Sequence, residues 1–320
     1  MMDGTVSSSS DFMRVVHGPT AVQVHTLPGI AVWIAHVDDV LGNGRLLSWL
    51  DSVDYSRLKC IARDTSRRQR AAGRILLRCA LSQAAHPCAA VAPDEWAFDV
   101  DTNGKPFVQA RGELPTPRFS ISYSFDLVAV AVSFRQEIGI DIESTHVPRH
   151  ACIPVEFLTA AEQNALNLLP LTQCWPRFVK LWTIKEACVK AIGLGLSLDP
   201  SLLNVDLAKL CVEIDDPVGG KHAVARYFSS ELCARNSSYA LAVAELVAEL
   251  PRELSPILGC QSALNIDDQY DASSTPLAIT TAPEMKIADL WFVAEAAALD
   301  ACYGSGAKPD GAQLILRDSD

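Results

Sequence analysis

Residues 181–196 constrain this chain more than any other stretch, because they ask for a helix that carries a cation inside its apolar face. At about 100° per residue, Phe178, Leu181, Trp182, Cys188, Val189 and Ile192 form one broad apolar arc. Lys185 falls within that arc, and Glu186 and Lys190 lie one turn apart at its edge. Gly193 or Gly195 supplies the left-handed residue that ends the helix. A buried ammonium needs an anionic partner; the alternative is a core helix whose Lys and Glu reach water along their methylenes. The stretch alone leaves both open.

The 320 residues suffice for a sizeable core or two modest domains. With 49% hydrophobic and 20% charged residues, the composition is that of a soluble globular protein. No apolar run approaches the ~20 residues of a membrane helix; Glu245 interrupts the longest candidate, Tyr239 to Val247. Met1 to Ser10 lack the basic-then-apolar order of a secretory signal. Ten cysteines stand singly, with no C-x-x-C pair and no His at ligand spacing. That points to reduced thiols in a cytoplasmic protein and away from zinc.

A net charge of −11 argues against general nucleic-acid binding, but the charge is segregated. Arg252 to Asp320 hold 4 basic and 11 acidic residues, whereas Arg57 to Arg78 hold 8 basic residues and one acid, Asp64. Arg63, Arg67, Arg70, Arg74 and Arg78 are spaced to put five guanidiniums on one helical face, flanked by Ala71, Ile75, Leu76 and Ala80. Such a face repels itself unless screened or paired. It is either a solvated surface or the seat of a polyanionic ligand or acidic partner.

In chain order, residues 1–19 read as a disordered leader, Ala31–Ala35 as a strand, and Leu46–Leu58 as a helix with Asp51 and Asp54 as caps. His86–Pro93 is a loop, Trp96–Val100 a strand, and Asp101–Pro106 a turn. Phe119–Ser124 alternates as a strand and Val128–Phe134 should pair nearby. Glu156–Leu169 reads as a helix that opens on a Thr159/Glu162 capping box and stops at Pro170, with Trp175-Pro176 preceding the next helix. Val205–Ile214, Ala223–Phe228 and Tyr239–Ala244 suggest strands, which closes the globular unit near 250. In the acidic remainder only Met285–Leu299 is helix-like.

Ile138-Gly139-Ile140-Asp141-Ile142-Glu143 is a strand whose isoleucines share one face and whose carboxylates share the other. Adjacent carboxylates stay ionised only with a cation between them, and oxygen ligands without His or Cys suit Mg²⁺, with Mn²⁺ as the alternative. A solvent-facing strand edge explains a lone Asp-x-Glu equally well.

The combination of Gly139-x-Asp141-x-Glu143 with Trp182-x-x-Lys185-Glu186-x-x-x-Lys190, about forty residues apart, resembles the Sfp-type 4′-phosphopantetheinyl transferases. Gly104-Lys105-Pro106 is similar to that family's G-K-P turn, and Ser120-Ile121-Ser122-Tyr123-Ser124 to its N-I-S-H-S segment. The four motifs cover residues 50 to 245. The resemblance implies an α+β fold of two similar α/β halves with pseudo-twofold symmetry, here residues 20–137 and 138–250, plus a C-terminal extension, 251–320, outside the family pattern. It implies a monomer that transfers 4′-phosphopantetheine from coenzyme A to a serine of an acidic carrier-protein domain, releasing 3′,5′-ADP, without nucleic-acid or membrane partners. Carriers of fatty-acid, polyketide, nonribosomal-peptide and aminoadipate type all remain open.

On this chain, the resemblance makes Asp141, Glu143 and Glu186 the Mg²⁺ ligands, with Glu186 also a general base and Lys190 facing the leaving phosphate or the serine. Lys185 would contact the phosphopantetheine phosphate, Lys105 and Pro106 the adenine and 3′-phosphate, and Ser122 and Tyr123 the phosphates. Arg67 and Arg70 are the candidates for the 3′-phosphate, and Glu162 matches a Glu near the family's metal site. Three positions depart from the pattern: Tyr123 replaces the usual His, Ser120 the usual Asn, and Leu194 a basic residue between the glycines. Tyr123 brings no positive charge near neutral pH, which implies weaker coenzyme A binding compensated elsewhere, or a shifted phosphate position. A catalytically silent homologue that binds coenzyme A or carriers is the alternative.

Overall fold

The computed structural model describes residues 21–85, 91–110, 112, 115–147, 152–194, 198–215, 221–235 and 237–247. The expected leader, the acidic extension and its Met285–Leu299 helix, and Gly195 lie outside the described residues. Strands β1 (Ala21–His25) and β2 (Ile30–His36) are followed by helices α1 (Val37–Leu41), α2 (Ser52–Lys59) and α3 (Asp64–Ala85). Next come β3 (Phe98–Val100), β4 (Pro106–Val108), β5 (Arg118–Ser124), β6 (Leu127–Ser133) and β7 (Ile138–Ser144). Helices α4 (Ala160–Asn167) and α5 (Leu171–Ile192) precede β8 (Leu203–Asp206), β9 (Cys211–Asp215), β10 (Lys221–Ala234) and β11 (Ser237–Leu246).

Two antiparallel sheets, in the orders β1-β2-β6-β5 and β7-β11-β10-β9-β8, carry the fold. Strand alternation decides what each face meets. Leu127, Ala129 and Ala131 of β6 join Ile138, Ile140 and Ile142 of β7 and Leu241 and Val243 of β11 in one apolar layer shared by both sheets. Val128, Val130 and Val132 turn instead to Ile75, Leu76 and Ala80 of α3, while Ala240, Ala242 and Ala244 turn to Ile184, Ala187 and Ala191 of α5. Each half therefore sets one 22-residue helix on one antiparallel sheet. This is the α+β arrangement of two helix-covered halves that the sequence implied.

Several local expectations change. Helix α5 starts at Leu171, behind Pro170, and carries Pro176 inside it rather than ahead of it. Proline there removes one backbone hydrogen bond, and buried Trp175 and Phe178 on either side tie that turn to the core. Val205–Ile214 divides into β8 and β9 around a turn, and β10, at 14 residues, is more than twice the expected length. Leu46–Leu58 divides at Asp51, whose carboxylate accepts the Asp54 N–H at 2.7 Å as the cap of α2. Gly193, at φ 82°, is the left-handed residue that ends α5.

Candidate active site

The site lies where the edges of the two sheets meet. Strand β7 pairs with β11 on one side; on the other its amides meet hydroxyls of β5. Ile140 N–H donates to Ser120 Oγ at 3.1 Å and Ile142 N–H to Ser122 Oγ at 3.3 Å. Side chains replace main-chain pairing along this seam, because Ser120, Ser122 and Ser124 alternate onto the face of β5 opposite Phe119 and Tyr123, which join the α3 core. An unsatisfied buried N–H would cost about 1–3 kcal/mol.

The same alternation on β7 turns Asp141 and Glu143 toward α5. Lys190 Nζ lies 2.6 Å from Asp141 Oδ1 and donates to Ile140 O and Ser122 Oγ, both at 3.2 Å. Ser122 donates to Asp141 Oδ1 at 2.7 Å, and Ser124 to Glu143 Oε2 at 3.4 Å. Burial followed by Asp141, against Lys190, pushes the Glu186 carboxyl up to about 7. Burial and then Asp141 also raise Glu143 well above the usual carboxylate range, with Glu186 adding and Lys190 and Ser124 opposing. Burial works against the Lys190 charge, but Asp141, Glu186 and Glu143 outweigh it and hold the ammonium above its ordinary value. Three carboxylates thus act on one ammonium.

Among the described residues no three His, Cys, Asp or Glu side chains converge closely enough to hold a metal ion as they stand. The chemistry of Asp141, Glu143 and Glu186 nonetheless fits a hard divalent cation. Asp141 is 3% exposed, and its Oδ2 has no hydrogen-bond partner while Oδ1 takes Ser122 and Lys190. An orphaned carboxylate oxygen beside two carboxyls pushed toward protonation is a site short of positive charge.

Other expected site residues are placed elsewhere. Lys185 is fully buried, 2.6 Å from Glu162, and donates to Phe157 O at 2.9 Å and Pro200 O at 3.0 Å. Glu162 thus supplies the anionic partner that the apolar setting of Lys185 demanded. Glu162 completes the capping box with Thr159 N–H at 2.8 Å and also accepts from Val205 N–H at 3.0 Å. It stands in this clasp and not with Asp141. One residue step along the helix explains the separation: Glu186 is about 100° round α5 from Lys185 and faces Asp141 instead.

Members of the arginine face meet anions supplied by the chain itself. Arg78 is fully buried, bridging Asp51 and Asp54 at 2.7 Å each, and Arg74 reaches Asp54 at 3.1 Å. Helix α2 supplies these anions. Arg67 pairs with Asp64 and donates to Ile61 O at 3.1 Å, while the Arg70 guanidinium lies 4.8 Å from the Tyr123 ring centroid. Tyr123 is 6% exposed and packs against α3 at Gly73, beneath Arg70. Lys105 reaches Glu137 at 2.8 Å and Ala191 O at 3.1 Å, at the glycine end of α5. Pro106 opens β4 opposite Val100.

Residues 137–244, which include Asp141, Glu143, Glu186 and Lys190, match the family model described as the 4′-phosphopantetheinyl transferase superfamily. The match covers about a third of the chain. Phosphopantetheinyl transferase relatives extend the likeness. The chain is similar to 4′-phosphopantetheinyl transferase HetI of Nostoc sp., 31% identical over 153 residues, covering 48% of this chain and 63% of that protein. It is 32% identical over 124 residues to 4′-phosphopantetheinyl transferase psf-1 of Bacillus pumilus, covering 39% and 51%. A phosphopantetheinyl transferase of Thraustochytrium sp. is 29% identical over 194 residues, covering 56% and 63%. The chain thus spans between half and two-thirds of the length of these relatives. Inside the matched segment, Gly139 is a structural requirement, and just before it Glu137 partners Lys105 and Arg118. Neither Ser124 nor Glu137 stood out in the sequence, although the Ser-x-Ser-x-Ser alternation was there to place Ser124 beside Glu143.

Proposed function

We propose that the protein transfers 4′-phosphopantetheine from coenzyme A to a serine of a carrier-protein domain, as a cytoplasmic monomer using Mg²⁺. The observation that carries this reading is the group Asp141, Glu143, Glu186 and Lys190, gathered at the seam between the two sheets. In the reaction the serine oxygen bonds to the phosphorus that bears pantetheine, and the bond from that phosphorus to 3′,5′-ADP breaks. Such a transfer depends mainly on holding and neutralising phosphoryl charge. A divalent ion on Asp141, Glu143 and Glu186 would supply Lewis acidity toward the pyrophosphate.

The chain's own residues do the rest. Glu186, the carboxylate on α5 that faces Asp141, is the candidate to take the serine proton. Lys190, kept charged by the surrounding carboxylates, offsets the negative charge that grows on the departing oxygen. Arg70 remains a candidate for a coenzyme A phosphate, held over the Tyr123 ring.

The test is to mix the full chain with an apo carrier domain, coenzyme A and Mg²⁺ and weigh the carrier by mass spectrometry. A phosphopantetheine adduct that disappears in Glu186→Ala supports transfer. Coenzyme A binding without an adduct on carriers of any of the four types would sink it in favour of a silent binding homologue.

A further inference from the structure

Ser122 has no hydrogen-bonding capacity left for a ligand. A serine hydroxyl offers one donor and two acceptor positions. Ser122 Oγ donates to Asp141 Oδ1 at 2.7 Å and accepts from Ile142 N–H at 3.3 Å and Lys190 Nζ at 3.2 Å. The side chain is also buried, at 4% exposure. We propose that Ser122 is a positioning residue for Asp141 and Lys190 and does not contact a coenzyme A phosphate. The proposal rests on the transferase reading for what the carboxylates are positioned to do.

Its consequence for Asp141 is directional. Ser122 and Lys190 both engage Oδ1, which fixes the carboxylate plane and leaves Oδ2 buried without a partner. The oxygen presented to a divalent ion is thus Oδ2. Ser124 extends the same device by one step of the alternation, donating to Glu143 Oε2 at 3.4 Å. Strand β5 therefore lends the second half of the chain a row of hydroxyls that orient the candidate metal ligands. Ser120 is the built-in control: it accepts Ile140 N–H at 3.1 Å within the same seam, with no carboxylate among its hydrogen bonds above.

Outer-shell hydrogen bonds to ligating groups are worth roughly 10–100-fold in metal affinity. Calorimetric titration of the full chain with Mn²⁺, without coenzyme A, should show affinity falling about tenfold or more in Ser122→Ala. Ser122→Thr, which keeps the hydroxyl, and Ser120→Ala should stay near the parent. Affinity for 3′,5′-ADP without metal should be unchanged in Ser122→Ala. Loss of 3′,5′-ADP affinity with Mn²⁺ affinity retained would overturn the proposal in favour of direct phosphate contact. Equal Mn²⁺ losses in Ser120→Ala and Ser122→Ala would overturn it by reducing the effect to the seam's structure. A parent protein that binds Mn²⁺ but modifies no carrier sinks the transferase reading alone; one that modifies a carrier but binds no Mn²⁺ without coenzyme A overturns the proposal alone.

Discussion

A Cβ on Gly139 would collide with the carbonyl oxygen of Ala187 and lie 2.6 Å from the amide nitrogen of Ala191. Strand β7 and helix α5 therefore touch backbone to backbone, one residue pair away from Asp141 and Lys190. Overpacking usually costs about 1–3 kcal/mol because side chains yield. Here only backbone is available to move. Gly139→Ala should lose at least the upper end of that range in chemical denaturation and should also weaken Mn²⁺ binding, since Asp141 shifts with its strand. Unchanged stability in Gly139→Ala would count against the close approach.

Lys185 and Glu162 form a buried pair whose members also satisfy four backbone groups, at Phe157, Thr159, Pro200 and Val205. Removing one partner of such a pair leaves an uncompensated charge, at about 3–5 kcal/mol. Lys185→Met should therefore lower the unfolding midpoint in urea steeply, and Glu162→Gln/Lys185→Met should recover part of the loss. At temperatures where Lys185→Met is folded, its affinity for coenzyme A should equal the parent's. A selective loss of coenzyme A affinity with stability intact would return Lys185 to the phosphate.

The two cases differ in how far the sequence revealed them. The strand Ile138–Glu143 could be read directly, because a period of two places isoleucines and carboxylates on opposite faces whatever packs above. Helix 181–192 was equally plain, and its glycine stop is at Gly193. The partner of Lys185 was not readable: Glu162 already had a sufficient local role in the capping box, and its second role depends on how α4 docks on α5. The arginine spacing likewise gave the common face but not Asp51 and Asp54, which another helix brings to it. The β5 serines carried a pattern, yet their meaning required the knowledge that two sheet edges meet there. What stayed hidden was tertiary in each case.

Gly73 and Tyr123 are matched by shape. A Cβ on Gly73 would lie 2.5 Å from Tyr123 Cε1, so the tyrosine that stands where the family has His occupies space that only glycine leaves. Gly73→Ala should destabilise the parent by about 1–3 kcal/mol and do so much less in a Tyr123→Leu background. A double-mutant cycle of thermal or urea unfolding measures this coupling. Additive losses would mean that the two positions do not share the space. Tyr123→Phe retains the ring beneath Arg70 and should leave the KM for coenzyme A unchanged, whereas Tyr123→Leu should raise it.

Glu186 links pH to stability and to metal. Its folded pKa, about 7, exceeds the ordinary 4.5 through burial and Asp141, against Lys190. An acid of this kind binds more protons folded than unfolded between those two values. Its stabilising contribution is complete below about 4.5 and is lost as pH rises through about 7. Glu143 shifts in the same direction for the same leading causes, burial and Asp141. In chelator, this carboxylate pair should therefore lower the melting temperature progressively between about pH 5 and about pH 8. A divalent cation binds the ionised carboxylates and reverses that sign, so the rise in melting temperature on adding Mg²⁺ should be larger at the higher pH. Glu186→Gln removes one titrating group and one oxygen anion together. It should flatten the slope in chelator and diminish the Mg²⁺ increment, and an increment equal at both pH values in the parent would show that Glu186 does not face the ion.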